Sequence, residues 1–137
     1  MKLIVAALFS ALLTMASAAA EPVEKRNPAL VYWQATARLP NIGNKESRLI
    51  SDVLSGKSSA EELASLLDQS DIALQLFRRA TYAKAPCDWG LLLEDGPLAP
   101  LPHTSKMQIM ARLALCQARL LFERRETIEA LHWIIAD

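Results

Sequence analysis

The amino-acid sequence predicts an all-α fold of short antiparallel helix pairs, about five helices in all, with one long proline-rich loop packed on them. Three observations carry that expectation. Apolar residues recur three and four positions apart through most of the chain, the spacing that lines one face of a helix. Helix-start chemistry stands where those runs begin, at Asn27-Pro28 and at Ser59-Ala60-Glu61-Glu62. No stretch alternates apolar with polar residues for long enough to read as a half-buried strand.

The first segment stands outside that fold. Lys2 supplies a positive start, and Leu3 to Met15 is apolar but for Ser10 and Thr14. Ala16-Ser17-Ala18 and Ala18-Ala19-Ala20 then offer small residues to a signal peptidase, so residues 1–20 are expected to be an export signal. The run is shorter than the roughly 18–20 apolar residues that cross a bilayer, and no basic cluster follows it, which favours cleavage over anchoring. No cysteine lies near the cleavage site, so lipoprotein attachment is excluded there. The chain is expected in the periplasm or outside the cell, with no stable membrane insertion. Residues 21–137 would form a single α-helical domain.

Along that domain, Asn27 reads as an N-cap and Pro28 as the first helical residue, where proline's missing N–H costs nothing. Ala29, Leu30, Val31, Tyr32, Trp33, Ala35 and Leu39 follow, with Tyr32 and Trp33 expected in the core, and Pro40 stops the helix. Asn41-Ile42-Gly43-Asn44 is turn chemistry; Leu49, Ile50, Val53 and Leu54 then mark a second short helix before Gly56. Ser59 to Glu62 has the capping-box pattern, and Leu63, Leu66, Leu67, Leu74 and Phe77 mark one face of a third helix to about Ala80.

From Lys84 to Thr104 the text changes, with Pro86, Pro97, Pro100 and Pro102 and Gly90 and Gly96 leaving no room for a regular element. Its apolar content (Trp89, Leu91 to Leu93, Leu98, Leu101) predicts that it packs onto the helices. Met107, Met110, Leu113, Ala114, Ala118 and Leu121 give a fourth helix to about Glu123. Arg124-Arg125-Glu126 is the turn, and Thr127 is expected to cap a fifth helix carrying Ile128, Leu131, Ile134 and Ile135. That helix ends in apolar residues without a polar cap, so either it docks flat on the core or the chain is truncated.

Charge narrows the function classes. Lys+Arg and Asp+Glu number 15 each, for a formal net charge of zero. Such a chain lacks the basic field that gathers phosphates, which disfavours nucleic-acid binding. The hydrophobic fraction of 52%, raised somewhat by the leader, disfavours disorder. With four glycines and no Gly-x-Gly or Walker pattern, no nucleotide or other cofactor is expected.

Two cysteines, Cys87 and Cys116, in a chain bound for an oxidising compartment raise the possibility of a disulfide tying the loop to the fourth helix. The alternative is that Cys116 is a small buried hydrophobe on that helix and Cys87 a free or buried thiol. Cys87, His103 and Asp88 have the atoms of a nucleophile, base and orienter, yet no oxyanion turn accompanies them. Cys87, Asp88, Glu94, Asp95 and His103 have metal-binding atoms without a metal-binding spacing, so no metal is expected. His103 reads more simply as a capping residue before the fourth helix, and Trp89 as cover for the core or an exposed anchor for a partner. The pairs Arg78-Arg79 and Arg124-Arg125 sit near helix C-termini, where they complement the helix dipole.

Residues 105–136, with Ala111, Ala114 and Ala118 on one helix, a tight charged turn, and Ala130 to Trp133 on the next, resemble a tetratricopeptide-type helical hairpin. The turn glycine and helix-ending proline of that consensus are missing. More of the chain resembles a set of exported bacterial α-helical proteins without an established activity. That likeness rests on Asn27-Pro28-Ala29-Leu30-Val31-Tyr32-Trp33-Gln34-Ala35, Cys87-Asp88-Trp89-Gly90, Glu94-Asp95-Gly96-Pro97 and Leu101-Pro102-His103, and it implies architecture and export, not chemistry. The leading expectation is a non-enzymatic module that contacts an unidentified protein partner. Its surface would be the concave side of the helix pairs and the Cys87–His103 loop, with Asp88, Trp89 and His103 as candidate contacts. A small exported enzyme or metal protein using that loop is the alternative, and a truncated product with no function of its own is the third reading.

Overall fold

Asn27 and Pro28 start the first helix as their chemistry requires: the Asn27 side chain accepts from the Ala29 amide, and α1 runs over Pro28–Arg38. The computed structural model describes residues 27–90 and 104–135. Residues 1–20, the latter part of the proline-rich loop and His103 lie outside the described residues. Over the described residues the fold is all-α, as the periodicity predicts, with α2 at Asn44–Leu54, a 3-10 turn at Ala60–Leu63, α3 at Ala64–Thr81, α4 at Thr104–Glu123 and α5 at Thr127–Ile134.

Local signals account for most of the boundaries. The Ser59 capping box forms in full, although it opens a 3-10 turn that then widens into α3. At the end of α2, the Gly56 amide bonds the Val53 carbonyl and the Lys57 amide bonds that of Asp52, with Gly56 at φ 82°. This is the Schellman stop that glycine adopts without strain. The same pair of bonds closes α4, from Arg125 to Phe122 and from Glu126 to Leu121, but here a non-glycine residue, Arg125, occupies the left-handed position at φ 66°. Thr127 does not cap α5 as expected. Glu126 takes the N-cap position without a side-chain bond, because the Schellman turn sets the chain one residue earlier.

The main core joins α2, the 3-10 turn, α3 and α4 through Ile50, Val53, Ala60, Leu63, Leu67, Leu74, Leu113, Ala114, Cys116 and Leu120. Helix α1 packs chiefly on α3. Small buried residues on those two helices, Ala29, Ala35, Ser70, Ala73 and Ala80, let the backbones approach closely. That geometry corrects the expected place of Trp33, which is 44% exposed. The face of α1 that turns inward is the small one, and Leu30 and Trp33 lie on the other side. Tyr32 sits at the flank, half-buried.

Helix α5 folds back onto α4 across the three-residue turn, and its last turn also reaches α3. The Arg78 guanidinium lies 5.1 Å from the Trp133 ring centre and 5.9 Å from that of Tyr82. The Tyr82 hydroxyl donates to the carbonyls of His132 at 3.1 Å or Ile135 at 3.3 Å, at the end of α5. Arg78 therefore does more than complement a dipole: it is the platform on which Trp133 docks.

Candidate functional site

The segment expected to carry the site begins with a clip. Asn27 accepts from the Asp88 amide at 2.9 Å while its own amide group donates to the Asp88 carbonyl, so one side chain caps α1 and fastens the loop. The Asp88 carboxylate is spent locally, accepting from the Gly90 amide at 2.9 Å in an Asx turn. Trp89 stacks on Tyr32, ring centres 5.6 Å apart and 20° from parallel, and Tyr32 meets Phe77 of α3 edge-on at 5.7 Å. Trp89 is thus cover for the α1–α3 pair; Leu91 to Leu93, Leu98 and Leu101, expected to pack the rest of the loop, lie outside the described residues.

Both cysteines are free. Cys87 is exposed beside the start of α1, whereas Cys116 points into the α2–α3–α4 core at 0% exposure. Burial and the neighbouring Asp88 raise the Cys87 thiol above its ordinary value, only partly offset by a backbone bond with Ala29. A nucleophilic cysteine needs the opposite shift. Burial pushes Cys116 up to about 11, against the attraction of Arg112 and Arg119. Burial, and then the nearby Cys87, raise the Tyr32 phenol. Asp88 and Trp89 are therefore engaged in holding the loop, and Cys87 is a protonated thiol. No three potential metal ligands come together among the described residues.

The feature sequence reasoning missed lies on α4 and α5. Ile128, Leu131, Ile134 and Ile135, the apolar residues the sequence assigns to the last helix, are 72%, 46%, 59% and 55% exposed. The residues that α5 turns inward are Ala130 and Trp133. Beside them on α4 stand Leu115 and Phe122, 47% and 64% exposed. Between the two helices runs a groove of about 290 Å³, with Ala118 and Ala130 among its lining residues and Leu115, Phe122, Leu131 and Ile134 as apolar walls. Arg119, the one charged residue among the described lining residues, is committed elsewhere: it bonds the Val53 carbonyl and pairs with Glu123 at 3.1 Å. The signal was present in the composition of α5, five of whose eight residues (Ile128, Ala130, Leu131, Trp133 and Ile134) are apolar and lie all round the helix, with Ile135 following. A helix of that kind with one packed side leaves the other unpartnered.

Neither the family models, nor the curated proteins, nor the solved structures contain a match to this chain. Among the described residues, no helix is long and apolar enough to cross a membrane.

Proposed function

We propose that this chain is an exported helical contact module that binds a protein partner through the apolar face of α4 and α5. The single observation that carries the reading is that face: Leu115, Phe122, Ile128, Leu131, Ile134 and Ile135 together expose roughly 600 Å² of apolar surface, at the upper end of what a monomeric protein leaves open. Its concave centre, floored by alanines, suits a helix laid along it. Export rests on residues 1–20, and the likeness of residues 105–136 to a tetratricopeptide-type hairpin supports action by contact. The binding surface moves from the Cys87 loop, where Asn27 engages the Asp88 backbone and Tyr32 stacks on Trp89, to the face of α4 and α5. The enzyme alternative loses support from the raised Cys87 thiol.

The reading is tested with a photo-crosslinking residue placed at Leu131, and at exposed Lys84 as control, in the full chain produced in its host. The expected result is a discrete protein adduct from Leu131 and none from Lys84. Absence of any adduct at Leu131, Ile128 and Phe122 refutes the reading.

A further inference from the structure

We infer that the partner covering the α4–α5 face is a second copy of this chain, docked face to face about a two-fold axis. The inference rests on the contact-module reading above and adds the identity of the partner. Three observations carry it.

The first is area. Two such faces brought together bury roughly 1,200 Å², which reaches the lower bound of stable specific interfaces. A long groove would call for an extended partner, but this face is about as long as α5 itself, about 12 Å at 1.5 Å per residue, so it matches its own length best. The second is charge. In an isologous contact each residue meets its own kind or a neighbour near the axis, so a face rich in one sign repels itself. The groove is lined by Leu115, Ala118, Phe122, Ala130, Leu131 and Ile134, none of them charged, with Arg119 beside them; the exposed Glu129 and His132 of α5 are not among its lining residues and lie 3.9 Å from each other. The guanidinium of Arg119 is already held by Glu123 and the Val53 carbonyl, so it brings no free like charge to the axis. An uncharged face is the self-compatible kind, and it offers a charged partner nothing to steer it.

The third is the whole-chain balance. With a formal net charge of zero, two copies approach without long-range repulsion. The product is a four-helix arrangement in which the α4–α5 pair of one copy closes on that of the other, burying the side of α5 that the described residues leave open.

Sedimentation velocity on the full chain between about 1 and 100 μM, the weak end for interfaces of this size, is expected to show a reversible monomer–dimer equilibrium. Leu131→Glu sets one carboxylate from each copy into the contact and is expected to raise the dissociation constant more than about 30-fold. Ile128→Glu, at a position 72% exposed, is the second variant should the first lose helicity. Lys84→Glu, on the exposed loop, leaves the equilibrium unchanged. A monomer throughout the range overturns the inference, as does a dimer whose dissociation constant ignores both face variants. The crosslinker at Leu131 separates the two levels. An adduct of twice the chain mass supports the second copy, and an adduct with a different protein overturns it while leaving the contact module standing. No adduct overturns both.

Discussion

Glu123 is the residue whose removal tests most of the packing at once. It lies at the end of α4, yet its carboxylate accepts from the Ser59 hydroxyl at 2.8 Å, from the Ala60 amide at 3.1 Å and from the Arg119 guanidinium at 3.1 Å. It therefore satisfies the orphan amide that opens the 3-10 turn, 63 residues away in sequence, while Arg119 bonds the last turn of α2. Hydrogen bonds to a charged group contribute about 1.5–3 kcal/mol when sheltered. The Glu123 side chain is 32% exposed, and water takes over part of what the carboxylate provides. Glu123→Ala is accordingly expected to cost about 1.5 kcal/mol, the size of a lost N-cap, and to lower Tm by roughly 6–10 °C. The Ser59 hydroxyl first, then the Ala60 amide and Arg119, hold the carboxyl below its ordinary pKa, against burial, which raises it. Between the folded and unfolded values the unfolded chain binds more protons, so this stabilisation is complete above the unfolded value near 4.3 and disappears as pH falls through the folded one. Urea unfolding followed by circular dichroism, at pH 7 and at about pH 2.5, measures both effects. A difference below about 0.5 kcal/mol at pH 7, or one that persists undiminished in acid, refutes the assignment of Glu123 as the staple.

Three further outcomes follow from single groups. Ser70 is fully buried on α3, and its hydroxyl has no partner among the described residues. Ser70→Ala is expected to stabilise by about 0.5–1.5 kcal/mol, against which a drop in Tm would count. Arg125→Gly relieves the left-handed position at the end of α4 and is expected to gain about 0.5–1 kcal/mol in chemical unfolding; a loss would show that the Arg125 side chain holds the turn. A thiol reagent near pH 8 is expected to label Cys87 at once and Cys116 only with global unfolding. Because the Cys116 thiol rises to about 11, the unfolded chain loses its proton first, so stability falls as pH climbs from the unfolded value near 8.5 toward 11. Two fast-labelling thiols, or none, would contradict this.

The parts of the fold legible in the sequence are those set by local chemistry. Asn27-Pro28, the Ser59 capping box, Gly56 and the Arg124–Glu126 turn all act within a few residues, and each stands where its pattern put it. Periodicity also found the inward faces of α2, α3 and much of α4. It failed on α1, and did not mark the inward face of α5, for one physical reason. Hydrophobicity ranks a tryptophan above an alanine, but a close helix crossing selects small residues, so Ala29 and Ala35 went inside and Trp33 outside. On α5 the same choice put Ala130 inside and Ile128 outside. The staples between distant segments, Glu123 with Ala60, Arg124 with Glu61 at 2.9 Å and Arg78 with Trp133, leave no trace in a one-dimensional pattern. Nor does the use of Asp88 as a turn residue, which removes it from the loop chemistry its composition advertised.

Helix α5 joins stability to the proposed interface. Eight residues are too few to hold a helix in water, since nucleation fixes a full turn before propagation returns anything. Its order therefore depends on what covers it, and among the described residues that is one side only: Ala130 against α4, Trp133 on Arg78, and the Tyr82 hydroxyl at its end. A second copy over Leu131, Ile134 and Ile128 supplies the other side, so dimerisation and the local opening of α5 must be linked, each shifting the other by the same free energy. Amide exchange reads this directly. Protection of the α5 amides, at Leu131 to Ile134, is expected to rise with protein concentration across the dimerisation range, while the amides of α3 around Leu67 and Leu74, buried within one copy, do not respond. Concentration-independent α5 protection, with a dimer nevertheless present by sedimentation, would place the contact on another face and detach the stability of α5 from the association.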